Sequence, residues 1–145
     1  MSALGSLVRV HTWALNEKRQ TLVGLEELAD KLHGDLEDLE AGLQREQSAA
    51  TGSIEGTIAF PAFVAAALER RKRLRVSIAN LDLGIEAARE EVREAYLEVK
   101  KYELARDNDE RREQDKLALS ERKALDELGA TLHQRRKLSQ SDNEG

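Results

Sequence analysis

The sequence has 145 residues, no cysteine, one proline and only 3% aromatic residues. Without cysteine, a disulfide framework and a thiolate site are both excluded, and a reducing compartment is permitted. So few aromatic residues, together with 35% charged residues, cannot fill a thick globular core. No stretch shows the alternation or the hairpin turns that a sheet requires. The abundance of Leu, Ala, Glu, Lys and Arg instead predicts an all-α protein.

Long apolar runs are also missing. The N-terminus lacks a basic segment followed by an unbroken apolar run, and nowhere do ~18 apolar residues occur in a row. We therefore expect neither a standard export signal nor a membrane span, and the cytoplasm is the default location. The net charge of -5 argues against general nucleic-acid binding, because phosphate contacts require a basic surface.

The second half of the chain carries a heptad repeat of apolar residues from Val64 to Tyr102. Such a repeat keeps one stripe facing a partner helix, so this segment is expected to be half of a coiled coil. Arg71 alone interrupts the stripe. The a positions are Val64, Arg71, Ile78, Ile85, Val92 and Val99, and the d positions are Ala67, Leu74, Leu81, Ala88, Ala95 and Tyr102.

The first half carries a matching repeat from Leu4 to Leu43. Two stripes of nearly equal length predict two arms of one hairpin that bury their apolar faces against each other. His11 and Lys18 are the polar members, and a polar residue in such a seam more often fixes register than performs chemistry. The a positions are Val8, Leu15, Leu22, Ala29, Leu36 and Leu43, and the d positions are Leu4, His11, Lys18, Leu25, Leu32 and Leu39.

Small and polar residues interrupt the heptads between Ser48 and Phe60, where they predict a turn. Pro61 presets a helical φ and is tolerated in a first helical turn, so helix 2 is expected to begin there. We predict a single coiled-coil unit, 1–145, with helix 1 at about 3–47, a loop at about 48–60 and helix 2 at about 61–138. A disordered tail is expected at about 139–145, because its residues offer nothing to bury.

Charge supports an antiparallel arrangement of the two arms. Folding the chain back about the loop places the basic run Arg70–Arg75 beside the acidic side chains of Asp35–Glu40. A second set of opposite charges also falls together: Glu86, Glu90 and Glu91 beside Lys18 and Arg19. Flanking charges of this kind select orientation and partner. The sequence therefore predicts two long helices in an antiparallel coiled-coil hairpin, with helix 2 extending beyond helix 1.

The far end of helix 2 has no partner in this arrangement. Residues 103–116 are mostly charged with both signs mixed, which is typical of a solvated single helix. A short amphipathic face follows, formed by Leu117, Ala124, Leu125, Leu128 and Leu132. This face is available for binding another molecule.

We find no pattern that indicates an enzyme, and we predict no catalytic, cofactor-binding or metal-binding residues. No pair of carboxylates lies in an apolar stretch that could set an acid and a base apart. His33 and His133 are far apart in the chain, and neither has a second ligand at i+4. No glycine-rich phosphate loop is present, so any ATP chemistry would belong to a partner.

Several features occur together along nearly the whole chain: a short N-terminal coiled-coil arm, a turn, and Phe63 in the run PAFVAAALE. Lys100-Lys101 and a long charged run follow. Within that run stand Glu110, Arg111, Glu121, Leu125-Asp126-Glu127 and Arg135-Arg136-Lys137. This combination resembles the FliJ family, whose members are soluble components of the bacterial flagellar type III export apparatus.

The resemblance implies a hairpin like the two-helix part of a rotary ATPase central stalk. It implies a non-enzymatic role in flagellum assembly, and hence in motility and chemotaxis, through binding to three partners. These are the export ATPase ring, the cytoplasmic part of the export gate and the export chaperones. It implies a cytoplasmic location beside the inner membrane at the flagellar base, with membrane association only through partners and no nucleic acid bound.

Three surfaces are predicted to bind these partners. The hairpin tip carries an apolar patch that we expect to dock on the gate. Trp13 is expected to point outward from the seam and to serve as an aromatic anchor. The free end of helix 2 is expected to contact the ATPase through mixed charges and a modest apolar anchor. The residues are Phe63, Leu43 and Val64 at the tip, Trp13 and Leu97 on the outer face, and Arg111, Arg112, Leu125, Leu128 and Leu132 at the free end.

Two other functions stay open on the residues alone. The chain could be a generic structural coiled-coil module, such as a homodimer, or an RNA-binding arm that uses Arg70, Lys72, Arg73 and Arg75. A solvated face paired with helix 1 explains the basic run more simply. A gene neighbourhood of flagellar genes would favour export, whereas steeply salt-dependent RNA binding would favour the RNA-binding arm.

Overall fold

The computed structural model describes residues 2–143, which form two helices. Helix α1 is Ala3–Ala50 and helix α2 is Ile54–Asn143. The two helices pack against each other, α2 is the longer one, and the described residues contain no strand. The predicted all-α hairpin, with a second helix longer than the first, is therefore confirmed.

Contacts along the chain divide it into two units. One unit is Arg9–Val99, which contains most of α1, the turn and the first half of α2. The other unit joins the chain up to Val8 with the chain from Lys100 onward. Each unit has its own share of the seam between the helices, since Val8 is buried in one and Leu15 in the other.

The buried core consists of small and medium apolar side chains along the seam. All of its members except Ala50 occupy the a and d positions that the heptads predict. Of all the predicted seam positions, only Lys18 is exposed, and its ammonium group pairs with Glu91 at 3.2 Å. The core residues are Val8, Leu15, Ala29, Ala50, Ala67, Ile78, Ile85, Ala88 and Val99.

Ser2 caps the start of α1. The Gly5 N–H donates to the Ser2 hydroxyl at 3.0 Å, and the Ser6 N–H donates to the Ser2 carbonyl at 3.2 Å. A helix leaves its first N–H groups without partners, and a serine at the N-cap satisfies one of them. Helix α1 therefore begins close to the predicted position.

The end of α1 at Ala50 is closed by short polar residues. The Thr51 N–H donates to the Gln47 carbonyl at 3.3 Å, and the Thr51 hydroxyl donates to the Ser48 carbonyl at 2.8 Å. The Gly52 N–H donates to the carbonyl of residue 49 at 3.1 Å. These bonds satisfy carbonyl groups that the end of a helix would otherwise leave unpaired.

The structure corrects the predicted loop at about 48–60, because only three residues separate the helices. Ser53 caps α2, since its hydroxyl accepts from the Gly56 N–H at 2.9 Å. The Thr57 hydroxyl lies 2.8 Å from the carbonyl oxygens of both Ala50 and Ser53, and so ties the two helix ends together. The polar residues that suggested a long loop act instead as helix caps.

The predicted start of helix 2 at Pro61 is corrected in the same way, because Pro61 lies inside α2. Its missing N–H removes the bond to the Thr57 carbonyl, a change that costs about 3 kcal/mol in a helix interior. Both residues are exposed, so water can satisfy that carbonyl. At the other end, residues 139–143 are helical rather than disordered, and the last two residues of the predicted tail lie outside the described residues.

Neither helix contains a stretch, within the described part of the chain, that is long and apolar enough to cross a membrane.

Candidate partner-binding surfaces

Phe63 borders two shallow grooves near the turn. Its side chain is 40% exposed and lines both of them. The first groove has a volume of about 220 Å³ and is lined by Glu46, Ala49, Ala50, Ser53, Gly56, Ala59, Phe60 and Phe63. The second has a volume of about 310 Å³ and is lined by Asp35, Asp38, Leu39, Gly42, Phe63 and Arg70.

The composition of the grooves differs from the patch that the sequence predicts. Leu43 and Val64 are half-buried in the seam and line neither groove. Phe60 lines the first groove together with Phe63, and sequence reasoning missed it because it fell in the predicted loop. Its spacing of i, i+3 from Phe63 is the signal that places both rings on one face once α2 begins earlier.

The two grooves present different chemistry. The first groove is lined mainly by alanine, glycine and two phenylalanine side chains, so it suits a small apolar side chain. The second groove carries the carboxylates of Asp35 and Asp38 and the guanidinium group of Arg70 beside Phe63. An apolar anchor bordered by polar side chains is the arrangement found where the apolar core of a protein interface meets its polar rim.

Trp13 is exposed on the surface of α1, as its f position predicts. Its side chain is 66% exposed, and Val10 on α1 and Leu97 on α2 are exposed as well. Tryptophan carries a large apolar area with little conformational freedom, which makes it effective in interfaces. The structure thus leaves the predicted aromatic anchor available.

The far end of α2 is exposed throughout. Every residue from 107 to 143 is exposed, including Arg111, Arg112 and the leucines at 125, 128 and 132. The only ion pair recorded between two residues of this stretch is that of Lys116 with Glu113, at 3.7 Å. A groove of about 470 Å³ lies at the start of this stretch, lined by Ser2, Arg106, Asp109, Glu110, Glu113 and Gln114. The predicted binding residues of this end are therefore uncovered within the described chain.

Two ion pairs join the helices as the charge pattern predicts. Lys18 pairs with Glu91 at 3.2 Å, and Arg75 pairs with Glu40 at 3.6 Å. Both pairs are exposed, so they support the register and contribute little stability. The antiparallel arrangement brings the two members of each pair together across a long sequence separation.

Other predicted pairs do not form. Glu86 pairs with Arg89 at 2.9 Å, and Glu90 pairs with Arg93, so neither carboxylate reaches α1. Arginines at i+3 on the same helix are closer neighbours than Lys18 on the other helix. The hydrogen bond from Arg93 lowers the pKa of Glu90, and the same bond raises the pKa of Arg93.

The basic run of α2 is paired less than the sequence predicts. Arg75 reaches Glu40, whereas the residues at 70–73 make no ion pair with any described residue. Within residues 2–143, no group of three or more His, Asp or Glu side chains is placed to hold a metal ion. The prominent features of the surface are thus apolar side chains and unpaired cations.

Comparison with known families identifies a match over most of the chain. The family model of the flagellar FliJ protein matches residues 1–138. No curated protein and no solved structure shows a significant match to the chain. The family match spans both helices and nearly the whole sequence, and it agrees with the hairpin, so this chain belongs to the flagellar FliJ protein family, whose members are components of flagellar protein export.

Proposed function

We propose that this chain is a non-enzymatic component that links the export ATPase ring, the export gate and the export chaperones while the flagellum is assembled. The single observation that supports this proposal most is the family match across residues 1–138. Exposed apolar side chains on both helices support it, because such side chains favour binding to other proteins. The protein acts in the cytoplasm beside the inner membrane at the flagellar base, where its partners hold it.

The end of α2 is the surface for the ATPase. A helix with mixed charges makes salt-sensitive contacts that permit movement inside a ring, whereas a strongly apolar surface would hold it fast. Arg111 and Arg112 are exposed there, and the leucines at 125, 128 and 132 add a modest anchor. By resemblance to a central stalk, this end enters the pore of the ring and favours its assembly.

The grooves beside the turn are the surface for the export gate. Phe63 stands on a helix and is partly exposed, so it loses little conformational entropy when a partner covers it. Phe60 extends the aromatic surface within the first groove. Trp13 offers a third surface, on α1, for the remaining partners.

Deletion of Leu117–Gly145 tests the ATPase contact. The unit Arg9–Val99 is untouched, so the truncated protein should keep its thermal unfolding midpoint but lose its stimulation of the export ATPase. A finer variant replaces the three leucines at 125, 128 and 132 with serine and should reduce stimulation strongly. Leu119→Ser is the control, because Leu119 is exposed on the other side of the same helix. If the truncated protein stimulates the ATPase as well as the full chain does, this end is not the contact.

A further inference from the structure

A second heptad row runs along the outer face of α2, away from the seam with α1. Its residues recur at alternating steps of four and three and occupy the b and f positions of the repeat. All eight are exposed, and six of them are apolar. Ile58 is 74% exposed, Val76 54% and Leu83 71%. The row consists of Ile58, Ala62, Ala65, Glu69, Lys72, Val76, Ala79 and Leu83.

The outer face of α1 provides an internal comparison. Its b and f positions hold mainly polar residues, as expected of a helix face in water. Between residues 16 and 37, Val23 is the only large apolar residue at these positions, and Trp13 is another, closer to the N-terminus. The positions are Asn16, Gln20, Val23, Glu27, Asp30, Gly34 and Glu37. An apolar row on one helix alone is not explained by packing inside the hairpin, and it has the spacing of a coiled-coil seam.

The surface along this row also contains a groove of the kind that packing against a second helix requires. A groove of about 330 Å³ lies on it, lined by Leu68, Arg71, Lys72, Arg75, Val76 and Ala79. The last four of these stand at i, i+3, i+4 and i+7, which is the spacing of a hole that receives one side chain of a facing helix. The cations on its walls favour a partner that brings a carboxylate to this position.

We propose that the occupant is a second copy of this chain, docked antiparallel through the same row. Turning the row end for end places Glu69 opposite Lys72 of the second copy, and Lys72 opposite its Glu69. Neither residue makes an ion pair with any described residue of its own chain. The same rotation sets Ile58 opposite Leu83, and small alanines opposite Val76 and Ala79. The row is self-complementary in charge at Glu69 and Lys72, and elsewhere it sets apolar residues opposite apolar residues, as a two-fold symmetric interface requires.

Charge also selects the orientation. In a parallel arrangement Glu69 would face the same carboxylate of the second copy, and Lys72 the same ammonium group, so both central layers would repel. In the antiparallel arrangement the flanking cations meet neutral side chains, since Arg75 falls beside Leu68 and Arg73 beside Ala66. The row spans 26 residues from Ile58 to Leu83, or roughly 39 Å of helix, which is long enough for several layers of contacts. This interface goes beyond the proposed export function and does not depend on it.

The molecular mass of the purified full-length chain in solution tests this proposal. Sedimentation equilibrium should show a dimer, and Glu69→Lys or Lys72→Glu alone should weaken dimerisation at least tenfold. Mixing the two single variants should restore a dimer, because each then supplies the charge that the other lacks. Glu27→Lys, on the outer face of α1, is the control and should leave the mass unchanged.

Circular dichroism should show equal helicity in all these variants, since both altered residues are exposed and make no ion pairs within the hairpin. A parent chain that stays monomeric at the highest concentration measured overturns the proposal. A dimer that Glu69→Lys leaves unchanged, or that the mixture of single variants fails to restore, also overturns it.

Discussion

At the scale of single residues, Gly56 shows how closely the helix ends approach at the turn. A Cβ atom at this position would lie 2.8 Å from the Ser53 hydroxyl and 3.1 Å from the Ala50 Cα. None of the described glycines has a positive φ, so the requirement is for space rather than for an unusual backbone conformation. The Ser53 hydroxyl is also the N-cap of α2, so a clash there disturbs two features at once.

Gly56→Ala should therefore lower the free energy of unfolding by about 1 to 3 kcal/mol, the usual cost of overpacking. Gly84→Ala is the matched control, because nothing lies within 4 Å of a Cβ built there. In that helix interior, alanine should raise the free energy of unfolding by about 0.5 to 1 kcal/mol. Urea unfolding followed by circular dichroism measures both changes. Equal effects of the two substitutions would show that the turn is not tightly packed.

Phe63 carries the prediction for the gate. Phe63→Ala should weaken binding to the cytoplasmic part of the export gate by ~2 kcal/mol or more, since a central aromatic anchor is removed. Helicity should be kept, because the ring is only partly buried. Ile54→Ala is the control, since Ile54 is exposed near the turn but lines neither groove. Isothermal titration calorimetry measures the affinity of each variant for the cytoplasmic part of the gate. Equal affinities of Phe63→Ala and the parent would show that Phe63 is not in the interface.

At the scale of elements, the seam between α1 and α2 provides most of the stability that this protein has available. Its core side chains are leucine, isoleucine, valine and alanine, and no polar or charged residue is buried among the described residues. Long isolated helices are marginal in water, so burial along this seam stabilises both. Surface ion pairs such as Arg75 with Glu40 add little.

Leu15→Ala should consequently lower the free energy of unfolding by about 2 to 5 kcal/mol, because the Leu15 side chain is only 4% exposed. Leu119→Ala should change it by less than about 0.5 kcal/mol, since that side chain is 55% exposed on the free part of α2. Urea unfolding of the two variants distinguishes the stability that comes from packing in the seam from the stability that comes from helix propensity. A similar loss from both would mean that the seam is not the source of stability.

The sequence predicted the elements well where periodicity carried the information. Heptads located the seam, and Lys18 alone among its positions is exposed. The turn was misplaced because Ser53 and Thr57 favour loops and helix caps alike, and only the folded chain brings Thr57 to the Ala50 carbonyl. Phe60 was missed as a groove residue for the same reason, since its face depends on where α2 begins.

At the scale of the whole molecule, the charge pattern predicted the antiparallel pairing but not every partner. Lys18 pairs with Glu91 on the other helix as predicted, whereas Glu86 and Glu90 each pair with the arginine at i+3 on α2 instead of with Lys18 or Arg19 on α1. Side-chain reach decides such choices, and a sequence does not state it. The family match then connects this fold to flagellar export.

The central claim is that this chain serves the export of flagellar proteins, and swimming of a gene-deletion strain tests it most directly. Without the protein, flagellar subunits should remain inside the cell, external filaments should be missing and the cells should not swim. Supply of the intact gene should restore both filaments and swimming. A deletion strain that builds filaments and swims as the parent strain does would contradict the account.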